Sequence, residues 1–272
     1  MNILERSLIE KAGCEHGWEN VIESDDSLVA LASARHPAQV TIRPQPSGSG
    51  WLVEVPAGLI RQELIRDWPD ACAAGTGAFG VKDISQLALL LRRTAELAQS
   101  LPNQAALKYR EAVAKELDKI KVNATEIECL VRQRVGQDTF RQALMDYWGR
   151  ACAVSGIDLP EVLRASHAKP WAVCASDDER LDVFNGFLLS ANLDALFDRG
   201  LITFDDSGRI VISPKIKPKQ RIGLQLDDGL ALRWLAPGHK SYLAWHREKV
   251  FAGKRSQGTP SALSAACSHT SV

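Results

Sequence analysis

The sequence predicts an α+β protein in which an N-terminal mixed α/β unit and a helical connector precede a C-terminal region of short strands and loops. Three observations carry this. Short strand-like runs bounded by turn residues fall within residues 1–70, apolar residues then recur at helical spacing, and beyond Trp148 the chain becomes loop-rich.

In the first unit, residues 1–70, a short helix is expected around Ile3–Ala12, followed by strands over Leu28–Ala32, Val40–Arg43 and Trp51–Val55. The last two are separated by the turn-rich PQPSGSG, and Leu59–Trp68 returns to helical spacing. No catalytic constellation occurs here, and His16 and His36 read as surface or packing residues. The connector, residues 71–131, opens with the loop AAGTGAFG, which is not a phosphate loop because no Gly-Lys-Ser/Thr follows. Asp83 with Gln86 offers a capping-box-like start to a helix bearing Ile84, Leu87, Leu91 and Ala95. A second helix carries Tyr109, Val113, Leu117 and Ile120 on one face and a Glu111/Lys115 pair on its exterior. Such a helical pair suits a bridge between domains or a homodimer contact.

Asn123 and Glu126 can cap a further helix, and Phe140, Leu144 and Tyr147 mark an amphipathic helix within the C-terminal region, residues 132–252. Leu201–Phe204, the turn Asp205–Gly208 and Arg209–Ser213 make a hairpin. Residues 253–272 are small and polar, the composition of a disordered tail.

The 272 residues are 45% hydrophobic, enough to bury a core. No run approaches the apolar length of a membrane span and the N-terminus lacks a signal-peptide pattern, so the expected location is the cytoplasm. Six cysteines without a CxxC pair argue against both a disulfide scaffold and a cysteine zinc site. The formal charge sums to zero, yet residues 1–30 hold seven acidic against two basic side chains, whereas residues 209–255 hold eleven Lys/Arg against three Asp/Glu. A basic stretch containing Lys215, Lys217 and Lys219 can neutralise backbone phosphates.

Three short segments carry candidate chemistry. In Ser166-His167-Ala168-Lys169-Pro170-Trp171 a histidine sits in an extended stretch, where a neutral imidazole can accept a proton. Asn185-Gly186 couples a side-chain amide to a residue free to adopt positive φ, which suits a loop fixed by side-chain-to-backbone bonds. Asp194 and Asp198, if helical, project from one face at i,i+4 and can approach one hard cation. A base, an ordering amide and a cation site are together what phosphodiester hydrolysis needs.

Taken in order, these motifs resemble the HNH endonuclease family, in the subgroup of bacterial restriction and defence-type proteins. The resemblance runs from Arg134 to Ser213. It takes in Arg134-Val135-Gly136-Gln137, Phe140-Arg141, Cys152-Ala153-Val154-Ser155-Gly156, the His167 segment, Arg180, Asn185-Gly186-Phe187-Leu188-Leu189 and Leu196-Phe197-Asp198-Arg199-Gly200-Leu201-Ile202. Tyr242–Arg247 with Val250-Phe251 resembles the helix often found beyond this core.

The resemblance implies a ββα-metal fold and a DNA endonuclease. It implies His167 as general base, also near the metal, Asn185 as the residue that orders the loop, and Asp194 with Asp198 as the metal side. Arg180, Arg199 and Lys169 are candidates to hold the scissile phosphate. Asp194 stands where the family's final histidine is expected, and Ser166 stands where an acidic residue often precedes the base. A carboxylate in place of an imidazole makes the site richer in oxygen, favouring one Mg²⁺ or Mn²⁺ over Zn²⁺. The alternative is a catalytically inactive nucleic-acid-binding protein that keeps the scaffold, and the N-terminal unit could serve target recognition or regulation.

Overall fold

The computed structural model describes residues 1–46, 48–72, 77–102, 104–119 and 125–253. Asn123, on which the expected cap with Glu126 depends, and the tail beyond Gly253 lie outside the described residues. The chain divides into two compact units, Met1–Lys108 and Tyr109–Val272.

In the first unit, helix α1 (Ile3–Glu15) starts on a reciprocal cap: Asn2 Oδ1 accepts from the Glu5 N–H at 2.8 Å and the Glu5 carboxylate from the Asn2 N–H at 2.7 Å. Strands β1 (Asn20–Ser24), β2 (Val29–Ala32), β3 (Gln39–Pro44), β4 (Trp51–Glu54) and, after helix α2 (Leu59–Asp67), β5 (Ala78–Val81) form an antiparallel sheet in sequential order. Register pairs Val29 with Ile42 and Leu31 with Val40, all four buried, so the apolar alternation of these strands faces one core. Helix α3 (Ile84–Ser100) is capped by Asp83, whose side chain accepts from the Gln86 N–H, while Gln86 itself reaches back to the Lys82 N–H. α1 packs on α3 and β2, and Trp18 closes this core with its indole N–H on the Leu91 carbonyl at 2.9 Å. Helix α4 (Gln104–Lys119) follows.

Two strands here were not expected. The AAGTGAFG segment reads as a loop, but its end forms β5, because pairing Phe79 with Val53 buries both and outweighs the turn propensity of the glycines. β1 is exposed at every residue and interrupted by a bulge, so it shows no alternation to read.

The second unit contains the long helix α5 (Thr125–Tyr147), strands β6 (Leu163–His167) and β7 (Gly186–Ser190), and between them the short helix α6 (Asp177–Arg180). β7 runs directly into helix α7 (Ala191–Asp198). β8 (Ile202–Phe204) and β9 (Ile210–Ile212) make the expected hairpin, followed by α8 (Pro218–Gly223) and α9 (His239–Lys249). β6 and β7 pair antiparallel, with α5 and α7 both packed on the pair. The C-terminal region is therefore of the ββα type, and the whole chain is α+β. No helix among the described residues is long and apolar enough to cross a membrane.

Candidate active site

Successive residues of a strand point to opposite faces, and at the end of β6 this rule divides the chemistry. Ser166 turns to α7. Its hydroxyl lies 2.7 Å from Asp194 Oδ1 and 3.2 Å from Asp198 Oδ1, so two carboxylates one helical turn apart converge on a single hydroxyl. One O–H can donate to only one of them at a time. Partial burial, then the Asp194 charge, push the Asp198 carboxyl up to about 6.

His167 turns the other way, to α5. Its ring stacks on Phe140 with centroids 3.7 Å apart, and Trp171 stands edge-on at 6.1 Å. Nε2 lies 2.8 Å from the Arg180 carbonyl oxygen. A carbonyl can only accept, so Nε2 carries the proton and Nδ1 keeps the lone pair of the neutral ring. Burial lowers the imidazole to about 4, which keeps it neutral at physiological pH.

The structure thus brings Asp194 and Asp198 together and adds Ser166, but it does not bring His167 into the same group. Among the described residues no three His, Cys, Asp or Glu side chains cluster as a metal site. The two carboxylates and the hydroxyl form an all-oxygen donor set. That chemistry fits a hard cation that keeps several waters, as Mg²⁺ does.

Asn185 is fully buried and knits the loop between the strands. Its Oδ1 accepts from the Lys169 N–H at 2.8 Å, and its Nδ2 reaches the carbonyls of Lys169 at 3.2 Å and Glu179 at 3.1 Å. Gly186 does not use positive φ as anticipated; its backbone is extended at φ −167°. It is glycine for space, since a Cβ there would meet Phe140 Cζ and the Ser166 carbonyl oxygen, each at 2.6 Å. Gly136 serves α5 in the same manner, leaving room for the Trp171 indole.

Of the cationic candidates, Lys169 is paired with Glu179 at 2.6 Å, and the Arg180 guanidinium is engaged with its own loop rather than presented to a phosphate. Arg199, Lys215, Lys217 and Lys219 are exposed. Cys152 and Cys174 are buried free thiols. His246 packs on Phe197, centroids 3.9 Å apart, with Nδ1 on Thr203 Oγ1 and Nε2 on the Phe197 carbonyl.

Sequence reasoning passed over Ser166 as a partner of the aspartates, Phe140 as the wall behind His167, and Asp182. The last caps the turn that carries Asn185 by accepting from the Phe184 N–H at 2.9 Å, and is itself held by the Tyr242 hydroxyl at 3.1 Å. Strand alternation could have found Ser166; nothing local marks Tyr242, 60 residues from Asp182 in sequence. A cleft of about 590 Å³ in the first unit, lined among others by Pro37, Leu59, Ile60 and Leu101, carries no titratable side chain and so offers no comparable chemistry.

The family model described as HNH endonuclease matches residues 152–205. No curated protein matches the chain. The matched stretch contains Ser166, His167, Asn185, Asp194 and Asp198 on its ββα scaffold, and it is an HNH endonuclease domain, of a family that hydrolyses phosphodiester bonds in nucleic acid and generally uses a divalent metal.

Proposed function

We propose that the protein is a metal-dependent DNA endonuclease in which His167 is the general base and Asp194 with Asp198 provide the cation side. The observation that carries this is the junction at the end of β6, where Ser166 meets two converging carboxylates and the adjacent His167 has one nitrogen committed to a carbonyl and the other left as acceptor. Nδ1 takes a proton from the attacking water. The phosphodiester's negative charge favours the imidazolium that forms, and so raises a base that is weak in the free protein. Asn185 holds the loop that carries the Arg180 carbonyl. Asp194 and Asp198 would hold one divalent cation, Mg²⁺ or Mn²⁺ by their oxygen chemistry, which when bound offsets charge on the phosphate and the leaving oxygen. Exposed Arg199, Lys215, Lys217 and Lys219 are side chains available to backbone phosphates. The resemblance to restriction and defence-type proteins supports DNA as substrate and a role in restriction or phage defence.

The test is cleavage of modified and unmodified plasmid DNA across a Mg²⁺ and Mn²⁺ series, with EDTA as control. His167→Ala should lose roughly 10²-fold or more in rate while keeping DNA affinity. Asp194→Ala and Asp198→Ala should weaken Mn²⁺ binding by calorimetry. A His167→Ala variant that cuts at the wild-type rate overturns the assignment. A wild-type protein that binds DNA but cuts none under any metal establishes the inactive scaffold instead.

A further inference from the structure

Arg180 contributes two opposite functions to one place. Its backbone carbonyl receives His167 Nε2–H at 2.8 Å, while its side chain gathers the loop before it. Nε donates to the Trp171 carbonyl at 3.2 Å, Nη2 to the Cys174 carbonyl at 2.8 Å, and Nη1 to Asp177 Oδ1 at 2.9 Å. The guanidinium carbon lies 5.6 Å from the centroid of the Trp171 ring, the same ring that stands edge-on to His167. Trp171 and Cys174 are the two ends of a 3-10 turn closed by a long bond of 3.3 Å from the Cys174 N–H to the Trp171 carbonyl. A planar group with donors in several directions braces both ends of that turn, as a single ammonium cannot.

We infer that Arg180 is a positioning residue of the nuclease centre, which fixes the tautomer of His167 by locking residues 171–180 into the one shape that presents the Arg180 carbonyl to Nε2. The inference rests on the proposal that His167 is the base, and it replaces a phosphate-holding role for this side chain. Without the guanidinium the loop relaxes, the carbonyl withdraws, and the proton distributes over both ring nitrogens. Rings protonated on Nδ1 cannot accept the water's proton there, so kcat falls while DNA binding does not.

The experiment uses the full chain with ¹⁵N-labelled histidine, at pH 7.5 and without metal. Imidazole nitrogen shifts of His167, assigned by its loss in His167→Ala, report the tautomer directly. Wild type should be on the Nε2–H form, and Arg180→Ala and Arg180→Lys should both show averaged shifts. In single-turnover cleavage both variants should lose about tenfold or more in rate with unchanged DNA Kd. Arg180→Lys retains the charge and the stem, so it guards against a variant that fails to fold. Unchanged His167 shifts in a folded Arg180→Lys variant overturn the inference. Weaker DNA binding with a reduced salt slope and an unchanged tautomer would also overturn it, in favour of a phosphate-holding role. If wild type proves not to cut DNA, the shifts still decide whether Arg180 sets the ring, so failure of the nuclease proposal and failure of this one are distinguishable.

Discussion

His246 illustrates what burial does to a histidine packed within the fold. It is 1% exposed, its two nitrogens are bonded to Thr203 and Phe197, and burial holds it down to about 4. Since its folded value lies below the unfolded value of about 6.5, protons favour the unfolded chain. The stability it contributes is therefore present above pH ~6.5 and is lost as pH falls toward 4. His246→Phe should be less stable than wild type at pH 7.5 by roughly 1–3 kcal/mol, because it strands the Thr203 hydroxyl and the Phe197 carbonyl. It should also show a flatter decline between pH 6.5 and 4.5 in urea melts. Gly186→Ala tests a different kind of constraint. Its backbone is extended and tolerates a side chain, but the Ser166 carbonyl 2.6 Å from the new carbon cannot rotate away. A loss of about 1–3 kcal/mol is expected in the same assay, together with slower cleavage as Phe140 is pushed against His167.

At the scale of elements, the β6–β7 pair is a partition with α5 behind it and α7 in front. His167 belongs to one side and the two carboxylates to the other, and they adjoin only because Ser166 and His167 are consecutive at the strand end. α7 holds Asp194 and Asp198 around one hydroxyl, where burial and the Asp194 charge both disfavour ionised Asp198. Asp198→Asn should therefore raise the melting temperature of the metal-free protein while weakening Mn²⁺ affinity roughly tenfold or more. Calorimetric titration beside thermal melts with and without Mn²⁺ checks both halves. A variant that melts lower without metal would show that the two carboxylates do not oppose folding.

For the molecule as a whole, opposite charge is segregated along the chain, with an acidic start and a basic stretch over residues 209–255. Arg221, Arg233 and Arg247 in that stretch have protein partners, whereas Lys215, Lys217 and Lys219 are exposed and form no ion pair among the described residues. Replacing the three lysines by Gln should flatten the salt dependence of DNA binding, by about 0.9 in slope for each phosphate no longer neutralised, and weaken all sequences alike. Fluorescence titrations between low and moderate salt measure this, and an unchanged slope would place the phosphate-binding surface elsewhere.

Much of this architecture was legible in the sequence. Helix α1, helix α3 with its apolar spacing and Asp83 cap, and the β8–β9 hairpin with its Asp-Ser-Gly turn were readable because their signals are local. β1, β5 and the fully buried β7 were not, because exposure or burial on both sides erases alternation. The domain that holds the candidate site was legible through the resemblance, which the family match over residues 152–205 supports. The partition of its residues was not, since it depends on which helix lies on which side of β6. That partition has a consequence for how such a site can change over time. Which helix Ser166 and His167 each face is a matter of parity along β6. A single residue inserted between Arg164 and Ala165 would turn the serine to the aromatic wall and the imidazole to the acids. Two inserted residues would return each to its own side. Length changes confined to residues 168–185 leave that parity untouched, and what limits them instead is the set of contacts that Arg180 and Asn185 make within the loop.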